Sequence, residues 1–186
     1  MNFSKQLSRR RVLQGGLLML AGLALPSRGF CQTEQNLTGE RAISLANLHT
    51  GEELRNLTYW ADGEYLPDAL ERCNWLLRDH RANTAHPMDP ELFDLVYAIR
   101  SRLCSTAPVQ IISGYRSPAT NELLRATSNG VAKHSLHMAG KALDIRVAGC
   151  ELDHLRKTAK SLHVGGVGYY PDSHFVHIDT GRVRYW

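Results

Sequence analysis

A histidine, a glycine and an aspartate in the segment 135–144 place the tightest limit on how this chain can fold. His137 and Asp144 are seven residues apart, and Gly140 lies between them. Seven residues make about two turns of a helix, but a glycine in the middle opposes a continuous helix. We therefore predict a loop that carries His137 and leads into a strand over 142–147, on which Asp144 points back toward His137.

A second predicted strand, 175–179, alternates apolar and polar residues and can bring His177 to the same point. Two imidazoles and one carboxylate can hold Zn²⁺ and leave a fourth tetrahedral position for water, as a hydrolytic metal site requires. Any one of the nine histidines is more commonly a surface or hydrogen-bonded residue, so the spacing alone does not decide the question. His137, Asp144 and His177 are the candidate zinc ligands.

The complete pattern, Ser-x-His-x-x-Gly-x-Ala-x-Asp followed by a histidine on a strand, resembles the signature of a group of zinc peptidases. That group includes D-Ala-D-Ala carboxypeptidases, lysostaphin-like endopeptidases and the amino-terminal domain of hedgehog proteins. Within it, the chain resembles the exported murein endopeptidases of the YcbK type, also called MepK, over about residues 42–186. The segments that carry this closer resemblance are 45–52, 112–117, 130–133, 165–171 and 175–181.

The resemblance implies a zinc-dependent enzyme that hydrolyses the peptide crosslinks of peptidoglycan, including crosslinks at meso-diaminopimelate. Arg116 lies where related carboxypeptidases carry an arginine that binds the substrate carboxylate or carbonyl. The alternative for Arg116 is an ion pair with a neighbouring carboxylate that serves folding. Two alternatives for the whole protein stay open, namely a D,D-carboxypeptidase and a non-catalytic peptidoglycan-binding protein with a zinc site.

The general base is the point at which this chain departs from its relatives. One set of relatives has a glutamate three residues before the last zinc histidine, where this chain has His174, and another set has a histidine two residues before it, where this chain has Phe175. His174 is the candidate base if a turn or bulge directs it to the metal, because residues three apart in a strand lie on opposite faces. A surface histidine is the alternative. Asp179 either orients His177 or pairs with a basic neighbour.

The first residues resemble a twin-arginine signal peptide. Three arginines at 9–11 precede an apolar run over 15–25, which is shorter than the roughly 20 residues that a membrane-spanning helix needs. We predict a signal peptide over 1–29, a polar leader over 30–41 and a zinc peptidase domain over 42–186. This organisation implies export to the periplasm through the twin-arginine pathway, with no stable membrane anchor.

The charge of the chain argues against a nucleic-acid partner. The chain has 22 Lys and Arg against 18 Asp and Glu, a net charge of +4. Five of the basic residues and no acidic residue lie in the predicted signal peptide, so 17 basic residues remain against 18 acidic ones, a net charge of −1. Such a domain lacks the excess of basic residues that binds phosphate backbones. The predicted partners are peptidoglycan stem peptides, and the sequence indicates no oligomeric state.

Hydrophobic patterning predicts one α+β domain, an antiparallel sheet with flanking helices. The cysteines at 73, 104 and 150 have no C-x-x-C spacing and are expected to pack in the core. The predicted strands are 42–50, 54–60, 109–113, 142–147, 167–170 and 175–179. The predicted helices are 67–80, one that begins at Asp89-Pro90, 119–127 and 151–163.

Overall fold

The computed structural model describes residues 39–128 and 130–186. The predicted signal peptide and residues 30–38 of the predicted leader lie outside these residues. The described part contains four α-helices, one short 3-10 helix and eight strands. None of its helices has both the length and the apolar character that crossing a bilayer requires.

The strands are β1 (Arg41–Asn47), β2 (Glu53–Ala61), β3 (Glu64–Tyr65), β4 (Val109–Ser113), β5 (Ala142–Val147), β6 (Gly166–Tyr170), β7 (Phe175–Asp179) and β8 (Arg184–Tyr185). The helices are α1 (Pro67–Leu76), α2 (Pro90–Leu103), α3 (Pro118–Thr127) and α4 (Leu152–Ser161), and the 3-10 helix is Leu136–Ala139.

The eight strands form one sheet in the order β3-β2-β1-β4-β5-β7-β6-β8. The predicted α+β class is confirmed, although the sheet is mixed and not wholly antiparallel. β1 pairs with β4 in parallel, and β6 pairs with β8 in parallel. Strands β1 and β4 can run parallel because the long connection through α1 and α2 brings the chain back to the end of the sheet at which β1 begins.

Two helices begin at the residues that the sequence indicates. The Asp89 side chain accepts a hydrogen bond from the backbone amide of Glu91 at 3.1 Å and caps α2. Ser117 Oγ accepts one from the backbone amide of Thr120 at 3.2 Å and caps α3. In both helices proline follows the cap, where its missing N–H costs no helical hydrogen bond.

The helix predicted over 67–80 ends at Leu76, earlier than its apolar spacing suggests. The cause is the buried carboxylate of Asp79, whose Oδ1 accepts hydrogen bonds from the backbone amides of Arg81 at 3.0 Å and Ala82 at 3.3 Å. These bonds favour a tight turn over a continued helix, as aspartate side chains commonly do.

Strands β5 and β7, which carry the predicted ligands Asp144 and His177, each have one apolar face and one polar face. Leu143, Ile145, Val176 and Ile178 are fully buried in the hydrophobic core. Because side chains alternate along a strand, the residues between them point to the opposite face. The core therefore fixes the register that decides where the polar side chains of these strands emerge.

Cys73 belongs to this core, as predicted, and burial raises the pKa of its thiol to about 12. A thiol with so high a pKa is largely protonated at neutral pH and is a poor nucleophile. Cys150 is half-buried and free, and it packs against the edge of the same core. Cys104, in contrast, is exposed at the end of α2, so the prediction that it packs in the core is wrong.

Candidate metal centre

The pairing of β5 with β7 and a 3-10 helix bring the three candidate ligands to one point. Asp144 and His177 are directly opposite each other in the antiparallel register of the two strands. His137 lies in the 3-10 helix that precedes β5, and Gly140 ends that helix with a φ of 66°. A side chain at Gly140 would overlap the carbonyl of Pro87, so both the backbone angle and the space require glycine.

The donor atoms of the three residues are close enough to bind one ion. His177 Nδ1 is 2.9 Å from Asp144 Oδ1, and His137 Nε2 is 3.2 Å from the same oxygen. The two histidine nitrogens are 3.2 Å apart. All three residues are buried. Within the described part of the chain, they are the group of three His, Cys, Asp or Glu residues whose donor atoms are close enough to share one metal ion.

Hydrogen bonds on the far side of each imidazole fix which nitrogen faces the centre. His137 Nδ1 lies 2.7 Å from the carbonyl oxygen of Gly114, which can only accept, so Nδ1 carries the hydrogen and Nε2 keeps its lone pair. His177 Nε2 lies 3.0 Å from Asp179 Oδ2, a carboxylate oxygen that accepts its hydrogen, so Nδ1 is the nitrogen that can release its hydrogen and offer a lone pair to a metal ion. Partners of this kind are typical of metal-binding histidines. The donor set and its tautomers therefore fit a zinc ion.

Asp179 is fully buried and fills both of the roles that the sequence left open. Its Oδ2 accepts from His177, and Arg184 donates to both of its oxygens at 3.0 and 2.7 Å. The backbone amides of Gly166 and Gly181 donate to Oδ1 at 3.0 and 2.8 Å. Asp179 thus orients the ring of His177 and is itself held by a basic neighbour.

The pKa values of the three candidate ligands favour binding of a cation. Burial alone would raise the pKa of Asp144, but His137, His177 and Arg116 outweigh burial and hold that pKa well below its usual range. Burial lowers the pKa of His137. Burial would also lower the pKa of His177, but its hydrogen bonds to Asp144 and Asp179 raise it. An ionised carboxylate beside neutral His137 is the state that binds a divalent cation.

Arg116 lies in the site, but its guanidinium is used within the protein. Its Nη2 contacts Asp144 Oδ2, and its Nε donates to Ser113 Oγ at 2.8 Å. The backbone amide of Arg116 donates to the carbonyl of His137 at 3.3 Å. Arg116 therefore orients one candidate ligand directly and supports the backbone of another.

The structure does not bring His174 to the three candidate ligands. His174 is exposed in the turn between β6 and β7, and its backbone has a φ of 54°. Its ring lies 3.4 Å from Nη1 of Arg146. The neighbours Ser173 and Phe175 line the cleft beside the centre, whereas His174 is not among the lining residues.

A cleft of about 610 Å³ opens beside the candidate ligands. Trp186 forms part of its wall, with its ring 5.3 Å from that of His177 and its Nε1 donating to the Tyr170 hydroxyl at 2.8 Å. Gly168 makes room for this ring, since a Cβ there would lie 2.6 Å from the indole. Trp186 was not among the predicted site residues, although a glycine inside a strand is a signal of close approach.

Comparisons with known proteins agree on one family. The family described as Peptidoglycan L,D-endopeptidase MepK matches residues 35–186. The MepK of Escherichia coli strain K12 is 44% identical over 179 residues, which cover 96% of this chain and 97% of that protein.

The probable MepK of Haemophilus influenzae is 40% identical over 187 residues and covers 100% of this chain and 98% of that protein. A solved L-Ala D-Glu endopeptidase of Serratia marcescens has a TM-score of 0.32 and 20% identity, over 41% of this chain and 62% of that one, and this likeness is too partial to bear on function. The match to the family and the identity over almost the whole chain show that the protein belongs to the peptidoglycan L,D-endopeptidase MepK family.

Proposed function

We propose that this protein is a zinc-dependent murein endopeptidase that hydrolyses meso-diaminopimelate-containing peptide crosslinks of peptidoglycan in the periplasm. The observation that carries the proposal is the convergence of His137 Nε2, His177 Nδ1 and the Asp144 carboxylate beside an open cleft. Membership of the MepK family supports peptidoglycan as the substrate. Export through the twin-arginine pathway belongs to the proposal and rests on the sequence alone.

The residues around the centre have separate tasks in this proposal. His137, Asp144 and His177 would hold the zinc ion, which when bound polarises a scissile carbonyl and lowers the pKa of a bound water to about 7. Arg116 and Asp179 keep the ligand side chains in place through the contacts described above. Loss of a residue that orients a metal ligand commonly reduces metal affinity or activity by about 10- to 100-fold. We therefore expect Arg116 and Asp179 to contribute to the activity through these contacts.

The proton acceptor for an attacking water has to come from the cleft. His49 and His134 are the imidazoles that line it besides the candidate ligands. The ring of His49 is engaged, since its Nε2 lies 3.0 Å from the carbonyl of Ile112 and the ring stacks on His80 at 3.9 Å. We therefore favour His134 as the base over His174, which lies outside the cleft.

Digestion of purified sacculi tests the proposal directly. The zinc-loaded protein should convert crosslinked muropeptides to monomers, and a chelator or His137→Ala should abolish that conversion. His154→Ala is the matched control, because His154 is exposed on α4 and lies outside the cleft. Unchanged digestion after chelation or in His137→Ala would overturn the metal-dependent mechanism.

The same digest separates the alternatives. Release of free D-Ala from uncrosslinked pentapeptide, with dimers left intact, would identify a D,D-carboxypeptidase. Retention on sacculi without any product would identify a peptidoglycan-binding protein. The base is tested in parallel: His134→Ala should lower kcat by about 10²- to 10⁴-fold, the usual contribution of general acid–base catalysis, with zinc content unchanged.

A further inference from the structure

Among the described residues that line the cleft, Arg81 is the cationic side chain without an ion-pair partner. The charged residues lining the cleft, histidines aside, are Arg81, Arg116, Arg184 and Asp144. Arg116 pairs with Asp144, and Arg184 pairs with Asp179. Among residues 39–128 and 130–186, the Arg81 guanidinium has no carboxylate or carbonyl partner, because its one hydrogen bond is made by its backbone amide. The cleft therefore offers, at the exposed Arg81, a guanidinium that is not engaged in an ion pair.

The backbone that carries Arg81 is fixed by the buried carboxylate of Asp79. The buried Asp79 accepts the backbone amide of Arg81 on Oδ1 at 3.0 Å and that of Ser117 on Oδ2 at 2.8 Å. Ser117 directly follows Arg116, so one buried carboxylate ties the turn of Arg81 to the segment that orients Asp144. An arginine whose backbone is already fixed loses less conformational freedom when its side chain binds a ligand.

We propose that Arg81 is a substrate-binding residue that pairs with a free carboxylate of an anionic peptide whose scissile bond lies at the metal centre. The proposal rests on the proposed function and adds to it a residue that selects for substrate charge. Arg116 is less available for this task, since Asp144 and Ser113 already occupy two of its nitrogens. The guanidinium of Arg81 is free to form the two parallel hydrogen bonds that arginine makes with carboxylates.

Two synthetic peptides test this pairing. They share one sequence with a diaminopimelate crosslink and differ only in a free carboxylate or a carboxamide on the residue beside the cleaved bond. The wild-type protein should prefer the carboxylate by about tenfold in kcat/KM, the loss expected for one charge-assisted hydrogen bond. Arg81→Gln should remove this preference by raising KM for the carboxylate peptide alone, and Arg81→Lys should retain part of it.

Arg72→Gln is the matched control, because Arg72 is an exposed arginine on α1 outside the cleft, and it should keep the wild-type preference. Arg81→Gln leaves the backbone hydrogen bonds to Asp79 in place, so its unfolding transition should match that of the wild type. A wild-type preference in Arg81→Gln, or an equal loss on both peptides, would overturn the proposal.

Binding without turnover separates this proposal from the proposed function. Titration calorimetry with metal-free protein should show about tenfold weaker binding of the carboxylate peptide to Arg81→Gln than to wild type, and equal binding of the carboxamide peptide. If the wild-type protein cleaves neither peptide, the endopeptidase assignment fails, yet the calorimetry still decides the role of Arg81. Equal affinity of both proteins for the carboxylate peptide contradicts that role.

Discussion

Replacing Asp179 with asparagine should reverse the tautomer of His177 and weaken zinc binding. Asp179 Oδ1 accepts from Gly166, Gly181 and Arg184, whereas Oδ2 accepts from His177 and Arg184. An asparagine oxygen is best satisfied at the position with three donors, which leaves its NH₂ group facing His177 Nε2. Two donors cannot bond to each other, so Nε2 must accept and the hydrogen moves to Nδ1.

The hydrogen on Nδ1 occupies the lone pair that faces the candidate metal position. Loss of an oriented histidine partner typically lowers metal affinity by about 10- to 100-fold, which corresponds to about 1.4–2.7 kcal/mol. The charge lost beside Arg184 adds a separate destabilisation of the metal-free fold, of about 2–4 kcal/mol, because Asp179 is fully buried.

Competition with a chromophoric chelator measures the affinity, and urea unfolding of metal-free protein measures the stability. Asp153→Asn is the matched control, since the Asp153 side chain on α4 is 42% exposed and pairs with Arg156 and Lys157. Asp179→Asn that binds zinc within twofold of wild type would refute the tautomer argument, whatever its stability.

Two further predictions concern stability. Burial alone would raise the pKa of Asp79, but hydrogen bonds that include Thr120 and Ser117 lower it to about 2. Relative to an ordinary pKa near 3.9, this shift contributes about 2.5 kcal/mol to the free energy of unfolding. The contribution is present above pH 4 and is lost as the pH falls toward 2. Urea unfolding should therefore show a weaker loss of stability between pH 4 and pH 2 in Asp79→Ala than in wild type, and parallel pH profiles would contradict this. Gly140→Ala should lower the unfolding free energy by about 2–4 kcal/mol, because the new side chain would sit at a positive φ and overlap the Pro87 carbonyl. A thermal midpoint equal to that of the wild type would contradict this prediction.

Local patterns were sufficient to predict most of the fold. The strand over 109–113 and the starts of α2 and α3 were predicted correctly because Asp89-Pro90 and Ser117-Pro118 act on their own neighbouring amides. The end of α1 was predicted too late, because Asp79 stops the helix through a turn that a hydrophobic pattern does not encode. The parallel pairing of β1 with β4 likewise depends on a distant connection, which no local signal specifies.

The candidate site divides in the same way. His137, Asp144 and His177 could be identified because they lie in short motifs whose spacing reflects strand geometry. The sequence could not place His174, since a single turn with a positive φ decides where its ring points. Arg81 could not be predicted from the sequence, because its role depends on which other arginines of the folded protein already have carboxylate partners.

The central claim is that three side chains from β5, β7 and the preceding 3-10 helix hold one catalytic zinc ion. Crystals of the zinc-loaded protein, measured on both sides of the zinc absorption edge, test it most directly. We predict one strong anomalous peak about 2.0–2.2 Å from His137 Nε2, His177 Nδ1 and a carboxylate oxygen of Asp144. Zinc bound elsewhere, or a centre from which any of these three ligands is missing, would contradict it.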